Sequence, residues 1–311
     1  NHLQNYVAKD VAELTMVATT KGKGIDIAEV CGGEGRASQL GVRRHLKVGR
    51  NFDLVTQCDL SNSRDAADAF RYFENNTVLV AVMAPCCDCF GPLSHLNWHL
   101  NYATMAEKYR NSSPVARFCG RVAKLQLQKG LDFLNEQPYP SDLYAEGCWP
   151  EVLQHSDVEQ VKYDRCRCGL KVETGSSRGL FMKKPSAMTV SCTELGDPFR
   201  NLKCLNNHQH LEGIGHTREH SRAQVWTWQE AQRVADGCLA VRRRHVRGDS
   251  KPCYVSQLTY AAKKKKAPID RASIARATPG GTAGVRGRDP AAPPHESSPC
   301  PGCHRRRARD D

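Results

Sequence analysis

The stretch IDIAEVCGGEG, residues 25–35, decides the fold of this chain. Its first seven residues, Ile25–Cys31, are mostly apolar and have the length of a buried strand, and the glycines that follow favour a tight turn. Residues 36–46 then have the spacing of a helix. The order strand, glycine turn, helix is typical of α/β proteins, in which such units build a parallel sheet.

The alternation of strands and helices continues as far as Pro138. Strands are predicted at Phe52–Asp59, Thr77–Ala84 and Leu131–Pro138, and helices over Arg64–Phe73 and around Val115–Leu127. Strands that alternate with helices imply a mostly parallel sheet with helices on both faces. We therefore predict an α/β fold.

The remaining segments are predicted as follows. Residues 1–24 form a lead-in helix, and residues 141–220, rich in Gly, Pro, Cys and His, form an irregular subregion with one strand at Ala187–Ser191. An amphipathic helix over Ser221–Val241 packs back on the sheet and closes a domain of residues 25–241.

The net charge of +12 comes almost entirely from the C-terminal segment. From Arg242 onward 17 Lys/Arg stand against 6 Asp/Glu, whereas residues 1–241 hold 28 against 27. We expect residues 242–311 to be a disordered basic tail that holds phosphates or directs the chain to the nucleus, although a merely solvated extension has the same composition. Because the start of the chain has no long apolar stretch, we expect an intracellular protein without a membrane span, whose 15 cysteines are reduced thiols.

Polar residues stand where the predicted strands end, and ligands of parallel sheets bind at those ends. Glycines 33 and 35 let a ligand approach the backbone after the first strand. Asp59, which ends the second predicted strand, could accept hydrogen bonds from ribose hydroxyls or could cap a helix. The third strand leads into Cys86, Cys87 and Cys89, and the fourth contains Glu136.

In this order the motifs resemble those of the DNA cytosine-5 methyltransferases. The resemblance covers residues 29–138 and implies a Rossmann-like methyltransferase fold that binds S-adenosylmethionine. Glu29, Gly33 and Gly35 are similar to the family's acidic residue and Gly-x-Gly turn, and Pro85 belongs to a loop similar to its Pro-Cys loop, so we expect these four residues to bind the cofactor together with Asp59.

The resemblance also implies roles in catalysis. The family's nucleophile lies three residues before a Phe, which selects Cys87 before Phe90, with Cys86 as the alternative. Glu136 is similar to the acid that holds the base, and Arg165 lies in a segment similar to the family's Gln-x-Arg-x-Arg. The implied reaction is methyl transfer to C5 of a cytosine that has left the DNA stack. RNA is a less favoured partner, and the chain also resembles methylase-like segments of retroelement polyproteins.

A second cluster of candidate ligands lies in the irregular subregion. Cys166 or Cys168, with Cys204, His208 and His210, has the ligand types of a tetrahedral zinc site. The alternative to an enzyme is therefore a non-catalytic nucleic-acid-binding segment of a retroelement polyprotein that zinc stabilises.

Overall fold

A computed structural model describes residues 24–211 and 223–249 of the 311-residue chain. The strands are β1 Ile25–Val30, β2 Val48–Phe52, β3 Val78–Met83, β4 Asp132–Pro138, β5 Glu159–Asp164 and β6 Pro185–Val190. The helices are α1 Arg36–Arg43, α2 Ser63–Asn75, α3 Ser94–Leu100, α4 Tyr102–Gln128, α5 Trp149–Val152, α6 Thr193–Gly196 and α7 Trp228–Arg247. The predicted lead-in helix lies outside the described residues.

The six strands form one sheet in the order β2-β1-β3-β4-β6-β5. The first four strands in this order are parallel, and β6 is antiparallel to both of its neighbours. The prediction of an α/β fold with a mostly parallel sheet is therefore confirmed. The chain passes from β1 to β2 on one side and then returns to β3 on the other side of β1, so the strand order reverses at β1 and β3.

Two hydrophobic clusters pack against the strands. One contains Val30 and Met83 of the sheet together with Phe73 of α2 and Phe118 of α4. The other contains Val80 and Leu134 of the sheet together with Val234 and Cys238 of α7. The predicted return of the last helix onto the sheet is thereby confirmed.

The position predicted for the second strand, Phe52–Asp59, was wrong. Strand β2 is Val48–Phe52, and a 3₁₀ turn at Leu54–Thr56 follows it. The Asp53 carboxylate caps this turn by accepting a hydrogen bond from the Val55 N–H at 3.0 Å. Leu54 and Val55, which suggested a buried strand, are 61% and 67% exposed, because local side-chain capping outweighs a short apolar run.

The subregion of residues 141–220 contains one strand more than predicted. The strand at Ala187–Ser191 exists as β6, but β5 (Glu159–Asp164) was missed. Its register with β6 places Tyr163 opposite Ser186 and extends the sheet beyond β4.

The last helix extends beyond its predicted end at Val241. Helix α7 runs past Val241 to Arg247 and ends at Gly248, whose left-handed φ of 72° stops the helix. Arg242 pairs with Asp26, and Arg244 pairs with Asp132 and Glu194, so these two cations belong to the folded domain. Residues 242–247, which were predicted to be disordered, are part of this helix, and the disorder predicted for residues 250–311 falls outside the described residues.

Candidate functional site

The carboxyl ends of β1 and β3 meet where the strand order reverses, which is the edge where open parallel sheets bind ligands. The chain leaves β1 through the glycine turn of residues 31–35 and leaves β3 through the cysteine loop of residues 84–91. The topology therefore places two of the predicted motifs on neighbouring strand ends.

The glycine turn is closed around the buried carboxylate of Glu29. Glu29 Oε1 accepts a hydrogen bond from the Ser38 N–H at 2.7 Å. A Cβ on Gly32 would lie 2.5 Å from Glu29 Oε2, so only glycine lets the turn approach so closely. Burial raises the pKa of Glu29, while the hydrogen bonds from Ser38 oppose that shift.

Gly33 and Gly35 have φ angles of 54° and 66°, which few residues other than glycine adopt. A Cβ on Gly33 would meet no atom within 4 Å, so there is open space beside the turn. The two predicted glycines thus provide a bare stretch of backbone at the strand end.

Asp53, rather than Asp59, is the acidic residue that directly follows β2. Its Oδ2 accepts a hydrogen bond from the Gly33 N–H at 2.9 Å, which joins the end of β2 to the glycine turn. Asp59 lies in an exposed loop, where its Oδ1 accepts hydrogen bonds from the Ser61 N–H at 2.9 Å and the Ser61 hydroxyl at 2.6 Å. The strand-end position on which the ribose-binding argument for Asp59 rested is therefore occupied by Asp53. The signal available in the sequence was the acidic residue Asp53 directly after Phe52, the last residue of β2.

The cysteine loop separates its three thiols into different environments. Cys86 is exposed, Cys87 is half-buried, and Cys89 is buried in the core. Pro85 is buried, and its carbonyl accepts a hydrogen bond from Gln137 Nε2 at 2.7 Å, which ties the loop to β4. Of the two candidate nucleophiles, Cys87 has its pKa shifted by charged residues of β4 and of the segments next to β5 and β6, whereas the pKa of Cys86 is shifted mainly by burial.

Charged groups from three other segments of the domain lie within electrostatic range of the Cys87 thiol. Burial raises the pKa of Cys87, the cations of Lys184 and Arg165 oppose the shift, and the carboxylates of Glu136 and Asp88 add to it. Two of the residues predicted for catalysis, Glu136 and Arg165, thus lie within electrostatic range of the third, Cys87.

Glu136 has a buried carboxylate oxygen without a partner. Its side chain lies on β4, opposite Met188 of β6, and the residue is 7% exposed. Oε1 has no hydrogen-bond partner among the residues that the structure describes. A buried acceptor left unpaired is unfavourable by about 1–3 kcal/mol, so this oxygen is suited to a ligand that brings a donor.

Arg165 is fully buried and its donors are directed at the protein. Its guanidinium forms a bidentate pair with Glu230 of α7, with Nε–Oε1 and Nη2–Oε2 distances of 2.5 and 2.6 Å. Further hydrogen bonds go to the carbonyls of Ala223 and Val225. Arg165 thus lies within electrostatic range of Cys87 and fixes the start of α7, which is the geometry of a positioning residue.

Lys184 is a candidate site residue that the sequence did not single out. It immediately precedes β6, and its carbonyl accepts a hydrogen bond from the Arg165 N–H at 3.1 Å. Its ammonium group is the strongest favourable charge on the Cys87 thiol. No signal in the sequence marked Lys184, because its approach to Cys87 depends on the pairing of β4, β5 and β6.

The four predicted metal ligands form one cluster. The ligand atoms of Cys166, Cys204, His208 and His210 all lie within 4.8 Å of one another, so the cluster could hold a metal ion. Burial raises the pKa of the Cys166 thiol to about 12, and the neighbouring Cys204 adds to the shift. Cys168, the alternative ligand, is buried against α7, where its carbonyl accepts a hydrogen bond from the Thr227 hydroxyl at 2.6 Å.

No protein-family model matches this chain, and no curated protein is significantly similar to it. Among the helices that the structure describes, none has the length and apolar character needed to cross a membrane.

Proposed function

We propose that this chain transfers a methyl group from S-adenosylmethionine to C5 of a cytosine in DNA, with Cys87 as the nucleophile. The observation that carries the proposal is that the half-buried Cys87 thiol lies within electrostatic range of Glu136, whose buried Oε1 has no hydrogen-bond partner among the described residues. A Rossmann-like methyltransferase fold is part of the proposal, and the reversal of strand order at β1 and β3 supports it.

Cys87 activates the base by covalent addition. Its thiolate forms a bond to C6, the C5–C6 double bond opens, and C5 becomes nucleophilic enough to accept a methyl group. When bound beside Gly33 and Gly35, S-adenosylmethionine would supply that methyl group, with its neutral thioether as the leaving group. The C5 proton then passes to water, the double bond forms again, and the Cys87 thiolate leaves C6.

Glu136 holds the base during this addition. Its unpaired Oε1 accepts a hydrogen bond from the exocyclic N4 amino group, and a proton shared between its other oxygen and N3 neutralises the negative charge that the attack on C6 pushes into the ring. The target base must leave the duplex stack to reach this buried pair.

The glycine turn fits the proposed cofactor in its chemistry. Gly33 and Gly35 present backbone beside open space, and the carboxylates of Glu29 and Asp53 border this turn from the ends of β1 and β2. A carboxylate oxygen can accept more than one hydrogen bond, so Asp53 can bind ribose hydroxyls while it holds the Gly33 N–H. Of the residues predicted to bind the cofactor, Glu29 therefore shapes the turn, and Pro85 shapes the neighbouring loop.

The nucleophile is tested by trapping on an oligonucleotide that contains 5-fluorocytosine, because fluorine at C5 cannot leave as a proton does. With S-adenosylmethionine present, the wild-type chain and Cys86→Ser form a covalent complex that survives denaturation, whereas Cys87→Ser forms none. Glu136→Gln slows trapping by about 10²–10⁴-fold, the range of a general acid or base. A covalent complex of undiminished yield with Cys87→Ser overturns the assignment, and a DNA and an RNA oligonucleotide compared side by side identify the nucleic acid.

The second candidate function is a non-catalytic nucleic-acid-binding segment of a retroelement polyprotein, and the Cys/His cluster is the observation that favours it. We propose Zn²⁺ as the ion in that cluster under either function. Calorimetric titration with S-adenosylmethionine discriminates between the two, since the non-catalytic segment has no use for the cofactor. A nuclear location is part of the proposal and is supported by the basic residues that follow α7.

A further inference from the structure

We infer that Cys166, Cys204, His208 and His210 form a closed zinc site. The bound ion links the turn after β5, which contains Arg165, to the loop of residues 201–211. This inference rests on the proposed zinc and is independent of methyl transfer. The two sulfurs and two imidazole nitrogens are the ligand set that zinc prefers, and four protein ligands leave no open position, as in structural sites.

The distances between the ligand atoms fit a tetrahedral ion. Cys204 Sγ lies 3.6 Å from His208 Nε2 and 3.4 Å from His210 Nε2. Bonds of about 2.3 Å to sulfur and about 2.0–2.1 Å to nitrogen place two tetrahedral ligand atoms about 3.5 Å apart. A single ion can therefore bind these three atoms without movement of the backbone.

Neighbouring groups orient two of the ligands. The Asn206 N–H lies 3.3 Å from Cys204 Sγ and can donate to it, which helps to fix the position of this ligand atom. His208 Nδ1 lies 3.1 Å from the Asn207 Oδ1, an acceptor that favours the tautomer with its proton on Nδ1, in which the lone pair of Nε2 is open to a metal. Partners of this kind are typical of built metal sites rather than of histidines in a solvated loop.

The ligands come from segments that have little else to hold them together. Cys166 belongs to the 3₁₀ turn after β5, whereas His210 lies on a short ribbon that pairs with Phe181. The hydrophobic cluster beneath this ribbon consists of Leu170, Val172, Met182 and Ala223, with Leu211 packed against it. A core of that size stabilises little, and metal ions often replace a missing core in small irregular regions.

The proposed zinc site is directly connected to the turn that contains Arg165. Cys166 is the next residue in the chain, and the Asp164 carboxylate on the other side of Arg165 accepts a hydrogen bond from the Cys204 N–H at 2.8 Å. Arg165 is thereby held between two contacts to the metal-bearing loop while its guanidinium pairs with Glu230. A bound ion therefore fixes the backbone from which Arg165 reaches the start of α7.

The test begins with the metal content of the full-length chain, purified without added metal and measured by mass spectrometry. We expect about one zinc per chain in the wild type and in two controls with exposed side chains, Cys86→Ser and His155→Ala. Cys204→Ser and His210→Ala should each lose most of the metal. Wild-type protein without zinc that also fails to bind added zinc overturns the inference, as does full zinc content in either ligand variant.

A second measurement does not depend on whether the variants fold. The wild-type chain is stripped of metal with a chelator and titrated with Co²⁺, whose visible absorption distinguishes tetrahedral sulfur and nitrogen coordination from octahedral oxygen coordination. Hydrogen exchange of the stripped chain should rise at residues 164–170 and 223–230 and return to its original level with zinc, while β1 and β3 stay protected. Unchanged exchange at those residues contradicts the link to the turn that contains Arg165, and neither result depends on trapping of a cytosine.

Discussion

The Cys87 thiol lies in an environment that by itself opposes ionisation. Burial raises its pKa, and the carboxylates of Glu136 and Asp88 raise it further. Lys184 and Arg165 are the cations that oppose this shift, and only the thiolate can attack a base. The charge of the Arg165 guanidinium is already balanced by Glu230. Lys184 is therefore the cation that most stabilises the thiolate form of Cys87.

Replacement of Lys184 with methionine should make Cys87 less reactive and more dependent on alkaline pH. The change removes a positive charge near the thiol, so the pKa of Cys87 rises further and the thiolate fraction at pH 8 falls. In a Cys86→Ser background, alkylation of Cys87 by iodoacetamide should slow on the order of several-fold. Mass spectrometry of the modified peptide measures the rate as a function of pH.

Lys183→Met is the matched control for this prediction, because Lys183 is adjacent but pairs with Asn206 Oδ1 at 3.0 Å. Its pH profile should stay that of the parent. Equal profiles for both lysine variants would show that Lys184 does not act on the thiol.

Helix α7 begins at a buried polar junction rather than at an exposed cap. Thr227 and Glu230 form a capping box, in which the Thr227 hydroxyl accepts from the Glu230 N–H and the Glu230 carboxylate accepts from the Thr227 N–H. The same carboxylate binds Arg165 and accepts a hydrogen bond from the Tyr163 hydroxyl at 3.2 Å. The start of the helix therefore depends on residues of β5 and of the turn after it.

Glu230→Ala should destabilise the protein by about 3–5 kcal/mol, because it leaves the Arg165 guanidinium buried without its counter-ion. The double variant Arg165→Met, Glu230→Leu should recover part of that loss, since it removes both buried charges. Urea unfolding measures each free energy of unfolding. Arg200→Ala, which breaks more exposed pairs, is the control and should change the free energy by about 1 kcal/mol or less.

The two ends of the folded domain are joined by ion pairs from the last two turns of α7. Arg242 reaches Asp26 at the start of the first strand, with an N–O distance of 3.4 Å. Arg244 pairs with Asp132 at the start of β4 and with Glu194 of α6 at 3.0 Å. Residues that look like a basic run in the sequence therefore hold the sheet to its last helix.

Neighbouring arginines provide a test of this boundary. Arg244→Ala should lower the free energy of unfolding by about 3–5 kcal/mol, because Asp132 is buried and would lose its cation. Arg243→Ala removes the same side chain from an exposed position one residue away and should change the free energy by less than about 0.5 kcal/mol. Chemical denaturation compares them, and equal losses would contradict the placement of the domain boundary beyond Val241.

Local pattern was sufficient for the parts of the molecule whose structure depends on neighbouring residues. The apolar run before the glycines specified β1, and the run at Val78–Met83 specified β3, because strands buried on both faces need continuous apolar residues. The spacing of thiols and imidazoles likewise predicted four metal ligands, and the structure brings their segments together. Where capping competes with a short apolar run, as at Asp53–Thr56, the same reasoning failed.

The arrangement around Cys87 could not be obtained in that way. Its neighbours Glu136, Arg165 and Lys184 are brought to it by strand pairing between β3, β4, β6 and β5, and pairing partners are set by the packing of the whole sheet. The choice of Cys166 over Cys168 as a metal ligand has the same origin, because Cys168 is packed against the last helix. Residue types and spacing therefore indicated which chemical groups the chain carries, whereas long-range packing fixed which of them lie within reach of one another.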